Sequence, residues 1–61
     1  MIAHLEAALR DGGPELRALA ARALGNTRDA TTLPALQAAT SDRDARVREA
    51  AVGALQRLRA G

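Results

Sequence analysis

The chain has 61 residues with nine basic side chains, all arginine, against seven acidic ones, for a net charge of +2 with its single histidine neutral. It contains no cysteine and no aromatic residue, which excludes disulfides and thiolate metal sites and leaves a core of aliphatic side chains alone. Although 48% of the residues are apolar, no run approaches the roughly 20 needed to cross a bilayer, and His4, Glu6 and Arg10 break up the N-terminus before a secretory apolar region forms; a cytoplasmic chain with no membrane partner is expected.

The first predicted helix runs from about Met1 to Arg10, with Ile2, Leu5, Ala8 and Leu9 on one face. Asp11, Gly12 and Gly13 end it. Pro14 suits the first turn of a second helix, where its missing N–H has no intrahelical partner, and Glu15 complements the positive end of the helix dipole. The apolar stripe of this helix reads Leu16, Leu19, Ala20, Ala23 and Leu24, and Gly25 is expected to close it as a left-handed C-cap. After a polar turn over Asn26 to Asp29, a third helix starts near Asp29 or Thr31, either of which can cap it. Pro34 falls harmlessly in the first turn if Thr31 is the cap, whereas a cap at Asp29 predicts a kink near Pro34. Leu33, Leu36 and Thr40 then face the core, with Ala39 nearby.

Ser41 to Asp44 form the next turn, and Asp44 is the N-cap of a last helix reaching about Arg59. Its stripe of Val47, Ala50, Ala51, Ala54, Leu55 and Leu58 keeps helical spacing without a miss. Gly53 lies off that stripe, either marking a close approach by another chain or, the preferred reading, sitting as a tolerated glycine on an exposed face.

Sliding the sequence on itself by 31 residues gives nine identities, among them Asp11 with Asp42, Arg17 with Arg48, Ala20 with Ala51 and Leu24 with Leu55. A period in the range of 20 to 50 residues marks a solenoid, in which each unit buries its apolar face on its neighbour. The expected organisation is one domain over 1–61, with repeat 1 at 1–30 and repeat 2 at 31–61. Sixteen alanines make the core thin, because each contributes about one methyl group of burial. Two repeats are also fewer than the roughly three that such a stack usually needs, so the chain is expected to be part of a longer solenoid or a protomer completed by self-association.

Paired helices, this period, and the pattern Asp42-x-Asp44-x-x-Val47-Arg48-x-Ala50-Ala51-x-x-Ala54-Leu55 resemble HEAT-like repeats, in particular the short form of the PBS lyase HEAT-like subgroup. The first repeat carries a weaker version as Asp11-x5-Arg17-x2-Ala20-x2-Ala23-Leu24-Gly25, and Leu33-Pro34-Ala35-Leu36 is similar to the opening of the first helix of such repeats. The resemblance implies an all-α fold, an α-α superhelix or α-solenoid of two helical hairpins and four helices. It also implies a structural, inter-repeat polar ladder of Asp11, Arg17, Asp42 and Arg48. An arginine near a turn can bridge a carboxylate and free carbonyls with its forked donors, and on this reading Arg48 and Asp42 are energetically coupled.

No nucleophile, base and orienting group can be assembled around the single His4 and single Ser41, so His4 is read as a solvated side chain. The chain is expected to be non-enzymatic, with no cofactor and no metal. The outward positions of the second helices carry Glu15 and Arg22 in repeat 1 and Arg46, Glu49 and Arg57 in repeat 2. These form the candidate surface for a protein partner of unstated identity, with homo-oligomerisation through the apolar ends of the stack as a companion expectation. A basic helical-repeat module for nucleic acid is the alternative. The mixed signs on this face argue against it despite a sequence pI of about 11.1, because a phosphate-tracking surface concentrates one sign.

Overall fold

The computed structural model describes the backbone of residues 2–60 and the side chains of 4–60. Among the described residues there are four α-helices and no strand, in the order α1 (Ile2–Asp11), α2 (Pro14–Asn26), α3 (Leu33–Ala39) and α4 (Ala45–Ala60), with a 3₁₀ turn over Ala30–Thr32 before α3. Helices α1 and α2 form one antiparallel pair and α3 and α4 the other. The most extensive contact is between α2 and α4, so the pairs meet through their second helices.

The turn chemistry explains each boundary. Gly12 closes α1 by donating its N–H to the Ala8 carbonyl at 3.0 Å, and extended Gly13 delivers Pro14 into the first turn of α2. Asp29 caps the 3₁₀ turn, its carboxylate accepting the Thr31 N–H at 2.9 Å and the Thr31 hydroxyl at 2.7 Å. The backbone passes from 3₁₀ to α at Leu33, so Pro34 still stands in a first helical turn. Of the two caps expected for the third helix, Asp29 caps the preceding 3₁₀ turn and Thr31 lies inside that turn, whereas α3 itself starts from Thr32 without a side-chain cap. Asp44 caps α4 as expected, accepting the Arg46 N–H at 2.8 Å.

The core consists of Leu9, Leu24, Leu36, Val47, Leu55 and the alanines between them, with Leu5, Ala8, Leu33 and Leu58 partly buried around it. The α4 stripe is placed as its spacing predicts. The face expected for α1 is met by Leu5, Ala8 and Leu9, whereas Met1 and the side chain of Ile2 lie outside the described residues.

Helix α2 departs from expectation in two ways. Leu16 and Leu19 are 49% and 60% exposed, and Ala23 is half-buried. The buried positions are Arg17, Ala18, Ala20, Ala21, Leu24 and Gly25. The side of α2 that meets α4 is its small-residue side, because only small side chains let two helices approach this closely. Nor is Gly25 a left-handed cap: α2 continues to Asn26, and the left-handed residue is Arg28, with φ 55°. Thr27 finishes the last turn, its hydroxyl donating to the Leu24 carbonyl at 2.7 Å. Gly25 is required for a different reason. A Cβ there would lie 2.5 Å from Ala54 Cβ and 2.7 Å from Ala54 Cα, so a methyl group would force the two backbones apart.

Gly53 is half-buried, but a Cβ built on it meets nothing within 4 Å. Alanine is the better helix former by about 1 kcal/mol at both positions, so the two glycines should respond with opposite signs. Gly53→Ala is expected to raise stability by up to about 1 kcal/mol, whereas Gly25→Ala should lower it by about 1–3 kcal/mol through overpacking. Thermal unfolding followed by helical circular dichroism checks both, and equal shifts would refute the close approach.

Candidate functional site

The capped turn before α4 and the start of α2 are held together by one ion pair. Arg17 Nε donates to Asp42 Oδ2 at 2.9 Å and Nη2 donates to Oδ1 at 3.0 Å, while Nη1 donates to the Gly12 carbonyl at 2.7 Å. Both side chains are largely withdrawn from water, at 7% and 15% exposure. The Asp44 N–H adds a third bond to the Asp42 carboxylate at 2.9 Å. The Arg17 guanidinium first, and this backbone N–H second, hold the Asp42 carboxyl below the usual carboxylate range.

Of the four residues expected in a polar ladder, the structure joins Arg17 to the Asp42 carboxylate, brings Arg48 to Asp42 through the main chain alone, and leaves Asp11 apart. Arg48 is exposed and reaches only the main-chain carbonyl of Asp42, at 2.8 Å, because the carboxylate is already occupied by Arg17. The expected coupling therefore lies between Arg17 and Asp42. Asp11 meets its neighbour Arg10 at 3.3 Å, with both side chains more than two-thirds exposed.

The five residues expected on a partner surface do converge. Glu15 and Arg22 from α2 and Arg46, Glu49 and Arg57 from α4 line one groove of about 510 Å³ between the two helices. Its floor is Ala18, Ala50 and Gly53, with Leu19 along the edge. Leu19, expected in the core from its place in the apolar stripe, faces outward because the side of α2 that meets α4 is the small-residue side. Arg46 bridges the N-terminal end of the groove loosely, with Nη1 3.8 Å from Glu15 Oε1, and it also donates to the Asp44 carboxylate at 3.3 Å. The Arg46 side chain and then its backbone N–H lower the Asp44 carboxyl. Such exposed pairs contribute little stability, so the arginine heads remain available to a ligand. Three arginines and two glutamates leave the groove with one excess positive charge, concentrated at the Arg22 and Arg57 end.

His4 is exposed on α1. Among the described residues no group of three histidine, cysteine or carboxylate side chains could hold a metal ion, and no helix is long and apolar enough to cross a membrane.

Because Arg17 is desolvated, removing either partner strands the other. Arg17→Ala and Asp42→Ala should each lower the melting temperature by on the order of 10 °C, and the double variant, which strands neither charge, should lose no more than either single one. Additive losses would refute the pairing. The folded carboxyl of Asp42 is lowered relative to the unfolded chain, so its contribution is complete above the ordinary carboxylate range. It is lost as the pH falls through the lowered folded value. The gap in melting temperature between the protein and Asp42→Asn should therefore be full at neutral pH and close in acid.

No match to the chain was found among curated proteins or among solved structures. A family model for HEAT repeats matches residues 2–60. The match does not distinguish the short-repeat subgroup suggested by the sequence pattern. Two antiparallel helical pairs stacked through their second helices, a polar tie between α2 and the turn before α4, and a match spanning nearly every residue together place this chain in the HEAT repeat family.

Proposed function

We propose that the chain is a non-catalytic protein-interaction module, one domain of two repeats split near residues 30 and 31, that seats a segment of a partner protein in the groove between α2 and α4. HEAT repeats generally act as scaffolds for protein–protein contacts and are generally non-catalytic. The observation that carries the proposal is the convergence of Glu15, Arg22, Arg46, Glu49 and Arg57 on a single groove with a floor of alanine and glycine.

The small floor admits close approach by a partner's main chain or by small side chains. The walls select by charge, because arginine forks recognise carboxylates in a bidentate geometry. A segment with acidic groups at the Arg22 and Arg57 end and a basic group toward Glu15 and Glu49 matches the pattern. The two glutamates oppose a phosphate backbone, which would run along the whole groove. The self-association expected from the sequence concerns the ends of the stack, which meet this groove at Leu19 on its edge.

The test uses displayed peptides selected on the immobilised chain and then measured against two variants. Gly53→Leu fills the floor at a position with open space, so it should leave helicity intact. Arg22→Glu with Arg57→Glu inverts the basic end. Selected peptides should be enriched in acidic residues, and each variant should weaken them at least about tenfold, the scale of one lost charge-assisted contact. Peptides that bind both variants as well as the parent chain would overturn the groove as the site. Duplex DNA affinity falling steeply with salt would favour the nucleic-acid alternative instead.

A further inference from the structure

Three large apolar side chains stand exposed: Leu16 and Leu19 on α2 and Val52 on α4. The 31-residue period gives each of them a counterpart that is buried. Leu16 corresponds to Val47 and Leu19 to Ala50, at 0% and 8% exposure, and Val52 corresponds to Ala21, at 0%. These counterparts lie on the surfaces through which the two helical pairs meet. Arg17, Ala21 and Gly25 fall four residues apart along the side of α2 that takes Asp42 and Ala54. The same stripe on α4 is Arg48, Val52 and Gln56, and all three are exposed.

The polar groups follow the same rule. Arg17 is buried and spends its fork on the carboxylate of Asp42. Its counterpart Arg48 is exposed and has no carboxylate partner among the described residues. Asp11, the counterpart of Asp42, is exposed with only the adjacent Arg10 beside it. One end of the stack thus offers an arginine fork beside Val52, and the other offers a carboxylate beside Leu16. The contact between α2 and α4 is a template for how two such ends fit.

We infer that the chain associates head to tail with a second copy of itself. The Arg48, Val52 and Gln56 stripe of one copy packs on Leu16 and Leu19 of the next, and Arg48 takes the Asp11 carboxylate as Arg17 takes that of Asp42. Gln56 stands where the internal contact has Gly25, so the helices of two copies lie further apart than α2 and α4. The larger Leu19 and Val52 fill the wider gap, and the association is reversible on dilution. The joined faces differ, so every pairing leaves one of each free, and growth does not stop at a dimer.

The test is molar mass by light scattering behind size exclusion across a hundredfold dilution at low salt, with helical circular dichroism on the same samples. The parent chain should show a mass that rises with concentration through multiples of 6.3 kDa. Arg48→Glu and Asp11→Arg should each weaken association at least about tenfold by opposing like charges. An equimolar mixture of the two variants should restore it, since each face then meets its complement in alternation. Should Arg48→Glu lose helicity, Val52→Glu tests the same face from an exposed position that makes no hydrogen bond. A parent chain monomeric at every concentration, a fixed-mass oligomer indifferent to the face variants, or variants that stay apart when mixed would each overturn the inference.

Discussion

The structure depends on how closely α2 and α4 approach. Alanine gains only about a methyl group of burial, so a contact built from alanine and glycine draws its cohesion from proximity, where dispersion between nearly touching backbones adds up over many atoms. Gly25 against Ala54 sets that proximity. Eight residues earlier on the same side of α2, about 12 Å along the axis, Arg17 grips Asp42. Two anchors two turns apart fix both the distance and the relative slide of the helical pairs. A side chain larger than hydrogen at the first would open the contact along its length, and an unpaired charge at the second would admit water.

Arginine suits the second anchor better than lysine because three surroundings must be satisfied at once. Its fork covers both carboxylate oxygens of Asp42, and its remaining nitrogen takes the Gly12 carbonyl at the end of α1. One side chain thereby ties the end of α1, the first turn of α2 and the turn before α4. The net stability from such a buried pair is small, since desolvation offsets most of the attraction; what it contributes is geometry. Glu15 lies two residues before Arg17, and Arg46 lies four after Asp42, so the anchor also sets how far apart the walls of the groove begin.

Much of this was legible in the sequence where pattern and environment agree. The α4 stripe, the Asp44 cap and the convergence of Glu15, Arg22, Arg46, Glu49 and Arg57 all follow from helical spacing and the 31-residue period. In α2 the leucine stripe misleads, because hydrophobicity favours burying Leu16 and Leu19 whereas the contact with α4 selects for small size. The sequence suggests a cap at Gly25 because glycine near a helix end often adopts a left-handed conformation. The signal that separates the readings is its register with Arg17 and Ala21, a stripe of one side chain that can reach and two that leave room. The family resemblance couples Arg48 to Asp42, while the carboxylate bond is made by Arg17 across the two pairs, over a separation of 25 residues that a motif does not display.

A period in sequence is a symmetry of composition, and folding breaks it. Leu16 and Val47, Ala21 and Val52, Arg17 and Arg48 occupy corresponding places, yet one of each pair is buried and the other faces water. The difference comes from which side of each helix has a neighbour, since α2 is covered on one flank by α4 and α4 on its opposite flank by α2. Substitution at the exposed member of a pair is therefore free of the packing demands placed on its buried twin, which explains why Val52 and Gln56 can be larger than Ala21 and Gly25. The same freedom makes the exposed members the informative positions. Their chemistry is set by what the surface meets rather than by what the core requires, and Arg48 and Asp11, each 31 residues from its counterpart in the internal pair, carry the geometry of the buried contact to the outside of the molecule.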